Sequence, residues 1–103
     1  MSQSKTSGPG GPVSHNVYFG GAVQSLGLET ENGRATLGVM KKGAYAFTPS
    51  EPEKIIVISG TASLSVDAQN WRKYAPQEVI LLKAGVKFDI ECDTDFAYIC
   101  YYG

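Results

Sequence analysis

Read for alternation of apolar and polar positions, the chain falls into short runs separated by turn signals. Tyr45 and Phe47 alternate with Ala44 and Ala46, the period of two expected of a strand with one buried face. A turn containing Pro and Ser follows. Glu53 then leads into Ile55-Ile56-Val57-Ile58, which Gly60 closes. β-Branched residues dominate that run, so it reads as a strand rather than a helix. Ala62, Leu64 and Val66 alternate with Ser63 and Ser65, Trp71–Tyr74 carries two aromatics, and Glu78–Leu82 is a short apolar strand. Trp71 reads as a core or interface anchor.

The N-terminal half follows the same pattern. Val17-Tyr18-Phe19 and Ala22–Leu26 are short strands about a Gly20-Gly21 bend, and Glu31-Asn32-Gly33 is a hairpin turn signal. In the strand Arg34–Met40, Leu37 and Val39 share one face and Arg34, Thr36, Gly38 and Met40 the other. The pattern leaves open which face is the inner one. Near the C-terminus, Phe88, Ile90 and Cys92 alternate with Lys87, Asp89 and Glu91. Asp93-Thr94-Asp95 then has the length of a hairpin loop leading back through Phe96–Tyr102. No stretch of helical length shows a 3.6-residue period. Many short strands with regular turn signals predict an all-β sandwich or closed barrel. Ile55–Ile58 and Val79–Leu82 are apolar on both faces, so their outer faces also need cover, from a second layer of sheet or a homodimer partner.

Length and composition narrow the classes. At 103 residues the chain is one domain with one core. Residues 1–14 are rich in Ser, Gly and Pro without apolar periodicity and are expected to be a flexible tail, leaving residues 15–103 as the domain. His15, the single histidine, is expected at the surface. A net charge of −1 with scattered Lys and Arg argues against nucleic-acid binding. No run reaches the ~20 apolar residues of a membrane span, and no apolar signal segment begins the chain, so a cytoplasmic protein is expected. If Phe88–Cys92 and Phe96–Tyr102 form a hairpin, Phe88 lies opposite Cys100 and the thiols of Cys92 and Cys100 sit about 13 Å apart. A disulfide needs Cα atoms within roughly 7 Å, so two free buried thiols are expected.

An aromatic strand, a polar turn, and a Glu seven residues before a closing Gly resemble the first motif of the cupins. That resemblance implies a small RmlC-like jelly-roll β-barrel. Cupin barrels usually hold a metal through three His and the motif Glu. Here Glu53 and Gly60 match, but the His places of the first motif fall among Phe47, Thr48 and Pro49. Aligned on Gly85, the ligand places of the second motif hold Phe88 and Cys92. One carboxylate without imidazoles is a poor transition-metal site, so neither a metal nor another cofactor is expected. An aromatic lining takes its place.

A narrower resemblance rests on Gly33-Arg34-Ala35, Gly38-Val39-Met40, Gly43-x-Tyr45-x-Phe47, Glu51-Pro52-Glu53, Val57-Ile58-Ser59-Gly60, Trp71 with Tyr74, and Tyr98-x-Cys100-x-Tyr102. In this order they look like the pyrimidine/purine nucleoside phosphorylases of cupin fold. Two departures are Ala44, where that family commonly has Glu, and Lys83, where Pro is usual. The resemblance implies cleavage of purine and pyrimidine nucleosides by inorganic phosphate to free base and pentose 1-phosphate. That chemistry needs a held dianion, a carboxylate near the developing ribose cation and a stacked leaving base. By residue type, Glu53 is the catalytic candidate. Arg34 is the phosphate candidate, with Thr48 and Lys41 behind it, and Tyr45, Phe47, Phe88 and Tyr98 are candidates for contacting the nucleoside. A cupin that binds a nucleoside or sugar without turnover is the alternative.

Overall fold

The computed structural model describes residues 13–103. The strands are β1 (His15–Tyr18), β2 (Val23–Thr30), β3 (Gly33–Met40), β4 (Gly43–Phe47), β5 (Glu53–Ser59), β6 (Ala62–Val66), β7 (Trp71–Tyr74), β8 (Val79–Leu82), β9 (Phe88–Cys92) and β10 (Phe96–Tyr102). A single 3₁₀ turn, Phe19–Gly21, is the only helical element among the described residues. The strands form a six-stranded sheet ordered β1-β2-β3-β10-β5-β8 and a four-stranded sheet ordered β4-β9-β6-β7, every pair antiparallel. Two antiparallel sheets face to face, with the chain switching between them, make the jelly-roll architecture of a cupin. Among the described residues the sheets meet through side chains rather than a continuous ring of strand pairs, so the barrel expected from the resemblance is an open sandwich.

The inward faces supply the core. Ile55 and Val57 of β5, Ile80 and Leu82 of β8, and Phe96, Tyr98 and Cys100 of β10 pack against Ala62 and Leu64 of β6 and Phe88, Ile90 and Cys92 of β9. The β2–β3 hairpin turns within the expected Glu31-Asn32-Gly33, with Glu31 and Asn32 at its centre and Gly33 directly after them. Thr30 pairs with Gly33, Gly33 has φ +101°, and the Thr30 hydroxyl accepts the Asn32 N–H at 3.0 Å. The open choice on β3 resolves with Thr36, Gly38 and Met40 buried, while Leu37 and Val39 are exposed. Glycine at position 38 makes room for the Tyr98 ring, which lies where a Cβ would stand.

Three expectations change. β9 and β10 do not form a hairpin: β9 lies between β4 and β6, whereas β10 lies between β3 and β5 in the other sheet. Asp93-Thr94-Asp95 instead crosses the sandwich. The Asp93 N–H bonds the Thr61 carbonyl at 3.0 Å, and Asp95 accepts the Lys42 N–H at 2.9 Å. Gly60 (φ +87°) makes the crossing possible, since a Cβ there would overlap the Asp95 carbonyl. A three-residue connector fits a hairpin or a crossover equally well, and only pairing with distant strands decides between them. The two thiols are free and buried in opposite sheets, so the register that separated them along one hairpin does not apply. Of the two roles expected of Trp71, core or interface anchor, the core role falls, since the residue is 51% exposed on the edge strand β7. Of the tail expected over residues 1–14, residues 1–12 lie outside the described residues. Ser14 extends the β1–β2 pairing by accepting the Gly27 N–H at 2.9 Å.

Candidate active site

One end of the sandwich opens into a cavity of about 760 Å³, within the size range of small-molecule sites. Its six-stranded wall follows from strand period and register. Glu53 is the first residue of β5 and shares the inward face with Ile55 and Val57. It pairs with Tyr102 of β10 on one side and Leu82 of β8 on the other. Cys100 and Tyr98 continue the inward face of β10, and Thr36 and Arg34 that of β3. The facing wall is aromatic. Phe47 at the end of β4 stacks on its register partner Phe88 with centroids 5.5 Å apart and planes at 27°, and Tyr18 meets Phe47 edge-on at 6.2 Å. The β4–β5 loop closes the rim. The Pro49 carbonyl accepts the Gly85 N–H at 2.8 Å, and the Pro52 carbonyl accepts the Gly103 N–H at 3.0 Å.

The charged groups are concentrated at the mouth. Arg34 Nη2 donates to Glu51 Oε2 at 2.7 Å, and its guanidinium lies 4.4 Å over the ring of Tyr102. Tyr102 hydrogen-bonds Thr36 through its hydroxyl at 2.9 Å. Burial lifts Glu53 above the ordinary carboxylate range; the nearby charge of Glu51 adds to this and a hydrogen bond with Cys100 opposes it. Burial also pushes Tyr102 and Cys100 up to about 12 and raises Tyr98 further. At neutral pH the two phenols therefore keep their protons, which leaves each able to donate. The hydrogen bond to Glu51 raises Arg34, which stays a cation.

Of the residues singled out from the sequence, Glu53, Arg34, Phe47, Thr48, Phe88 and Tyr98 line this cavity together. Tyr45 does not. It faces inward, but its ring packs on Phe19 at 5.1 Å and its hydroxyl donates to the Lys41 carbonyl at 2.6 Å, away from the cavity lining. Lys41 also lies elsewhere, its Nζ 3.2 Å from Asp95. Tyr102, Cys100, Thr36 and Glu51 line the cavity without having been assigned a role from sequence. The alternation Phe96, Tyr98, Cys100, Tyr102 held the signal for two of them, since it places all four on one face. Ala44 lies on the exposed outer face of β4 opposite Glu91, so the departure at this position falls outside the cavity. Lys83 is likewise exposed.

The ligand set of a metal-binding cupin does not fit here. Among the described residues no three His, Cys, Asp or Glu side chains converge. The wall that shares the cavity with Glu53 carries the stacked rings of Phe47 and Phe88 and no imidazole.

Fold and cavity thus define a protein of cupin fold with an aromatic wall, the half-buried carboxylate of Glu53 and a clamped arginine at the mouth. A solved structure from Vibrio parahaemolyticus, described as a protein of unknown function, superposes with a TM-score of 0.82 at 27% identity over 87% of this chain and 97% of that one. One from Acinetobacter sp. ADP1, described in the same terms, gives 0.80 at 28% identity over 87% and 90%. A cupin superfamily protein from Desulfitobacterium hafniense shares the fold, with a TM-score of 0.63 at 17% identity over 76% and 73%. The family profile for pyrimidine/purine nucleoside phosphorylase matches residues 13–102. A relative of that name from Magnetococcus marinus is 37% identical over 89 residues, covering 85% of this chain and 96% of its own. Another, from Escherichia coli O1:K1, is 36% identical, with coverage of 84% and 95%. The chain belongs to the pyrimidine/purine nucleoside phosphorylase family.

Proposed function

We propose that this chain cleaves purine and pyrimidine nucleosides with inorganic phosphate, and that the cavity at Glu53 is where it does so. The observation carrying this reading is a single cavity that brings together the half-buried carboxylate of Glu53, an arginine at the mouth and a stacked aromatic wall. A phosphate oxygen forms a bond to C1′ of the pentose while the C1′–N bond breaks, its electron pair leaving with the base. The proton of hydrogen phosphate ends on the base, so free base and pentose 1-phosphate balance the reactants. Glu53 stabilises the positive charge that develops at C1′. Arg34 receives the dianion through its guanidinium, with the Thr48 hydroxyl beside it. Phe47 and Phe88 stack the base, and the Tyr98 hydroxyl hydrogen-bonds it as negative charge develops.

The enzyme works as a homodimer in the cytoplasm on this reading. The outer face of the six-stranded sheet exposes Leu26, Leu37, Val39, Ile58, Val79 and Leu81, the last at 74%. An exposed apolar face of this kind is covered well by a second copy meeting it about a two-fold axis. No helix among the described residues is long and apolar enough to cross a membrane.

The test is incubation with uridine or inosine, with and without phosphate, and chromatography of the products. Free base and pentose 1-phosphate are expected only with phosphate. Binding of the nucleoside without phosphate-dependent turnover would instead establish the non-enzymatic alternative.

A further inference from the structure

Two carboxylates separated by Pro52 take different directions at the cavity mouth. Glu53 turns into the cavity, whereas Glu51 reaches across to β3 and accepts a hydrogen bond from Arg34 at 2.7 Å. The same guanidinium lies flat on Tyr102, 4.4 Å from the ring centre, and Tyr102 is in turn fixed to Thr36 at 2.9 Å. Arg34 is therefore held on its face by a ring and on one edge by a carboxylate. This pairing occupies only part of a guanidinium with five N–H donors, so donors remain for a second anion. The Arg34 and Glu51 side chains are 52% and 40% exposed. Exposed pairs contribute little to stability, so the contact has more to do with where Arg34 is held than with keeping the fold together.

We propose that Glu51 is a positioning residue for phosphate: it holds the Arg34 guanidinium on Tyr102 so that its remaining N–H groups face the incoming dianion. The inference rests on the function proposed above, in which Arg34 receives phosphate. A free arginine samples many rotamers and loses that freedom when it binds, whereas a clamped one has already lost it. The clamp also carries a cost, because the negative charge of Glu51 repels the dianion. Glu29, across from Arg34 on β2, adds acidic character to the mouth, but the hydrogen bond goes to Glu51. An amide at position 51 would keep an acceptor oxygen for Arg34 and remove the repulsion.

Steady-state kinetics of the full chain with phosphate and nucleoside varied separately test this. Glu51→Ala should raise KM for phosphate by roughly 3- to 10-fold, the scale of ordering one long side chain. KM for the nucleoside and the melting temperature should stay close to wild type. Glu51→Gln, which keeps the acceptor, should bring KM for phosphate back to within about twofold of wild type. An unchanged phosphate KM in Glu51→Ala, an equal rise for the nucleoside, or a Gln variant as impaired as the Ala variant overturns the assignment. A wild type that releases no base with phosphate refutes the proposed function instead. Calorimetric titration of inorganic phosphate into wild type and Glu51→Ala then decides the role of Glu51 by itself. Tighter binding to wild type supports it, and equal affinity or no binding overturns it.

Discussion

Replacing Glu53 by Gln probes the centre of the proposed site, because it keeps the shape of the side chain and removes its charge. Glu53 sits half-buried at the head of β5, paired with Tyr102 and Leu82, facing a cavity walled by Phe47 and Phe88. A unit charge about 4 Å from a developing cation, at the effective dielectric of a partly buried site, interacts by about 4 kcal/mol. An amide dipole recovers part of that. Loss of one preorganised electrostatic group costs about 2.7–4 kcal/mol, so kcat/KM should fall on the order of 10²- to 10³-fold. The pH profile should change as well. Catalysis needs the carboxylate, so wild-type activity is lost as pH falls through the raised pKa of Glu53, above the usual ~4.3. In Glu53→Gln that acid limb should disappear. Stability has the opposite sign. A carboxyl whose pKa is raised on folding adds stability below its unfolded pKa and loses it as pH rises through the folded value. The uncharged variant should therefore melt at or slightly above wild type at pH 7. The assay is initial-rate base release from uridine and inosine from pH 5 to 8, with thermal melts of both proteins. A Gln variant within a fewfold of wild type, retaining the acid limb, would refute the role given to Glu53.

Three further outcomes follow from the same geometry. Gly38→Ala places a Cβ against the buried Tyr98 ring, so it should cost about 1–3 kcal/mol and raise nucleoside KM as the ring moves toward the cavity; an unchanged melting temperature and KM would refute this. Phe47→Ala removes one ring of the stacked wall and should raise nucleoside KM on the order of 10-fold or more while sparing phosphate KM, because stacking a base is worth about 1–3 kcal/mol; equal effects on both substrates would count against the base subsite. Leu81→Lys puts a charge in the exposed apolar face of the six-stranded sheet and should convert a dimer to a monomer by light scattering; a wild type that is already monomeric, or a variant of unchanged mass, would refute the proposed interface.

Strand identity was legible because side chains alternate along an extended backbone wherever one face is buried. Tyr45 and Phe47, Glu53 with Ile55 and Val57, and Phe88 with Ile90 and Cys92 all lie on the faces their spacing indicates. Asn32-Gly33 marked its hairpin for an equally local reason, since the turn needs the positive φ that Gly33 adopts. Much of the site was also legible. A carboxylate, an arginine and aromatic residues at inward positions of different strands have few places to converge other than the interior.

Sequence periodicity does not say which strands become neighbours. Asp93-Thr94-Asp95 is as suitable for a hairpin as for a crossover, and pairing of β9 with β4 and β6 chose the crossover. Tyr45 and Phe47 have the same parity, yet only Phe47 lines the cavity: it ends β4, whereas Tyr45 lies two residues further back with its hydroxyl bonded to the Lys41 carbonyl. The exposed Leu37 and Val39 reverse the ordinary expectation for a half-buried strand, because the inward face of β3 must give room to Tyr98 and a hydroxyl to Tyr102. The chain by itself determined the strands, most of their buried faces and the chemical groups available to the site. The tertiary structure decided which strands pair, which inward residues reach the cavity, and that Glu51 holds Arg34 over Tyr102. The physical reason is range: alternation and turn chemistry act over a few residues, whereas pairing and cavity shape depend on contacts between residues far apart in the chain.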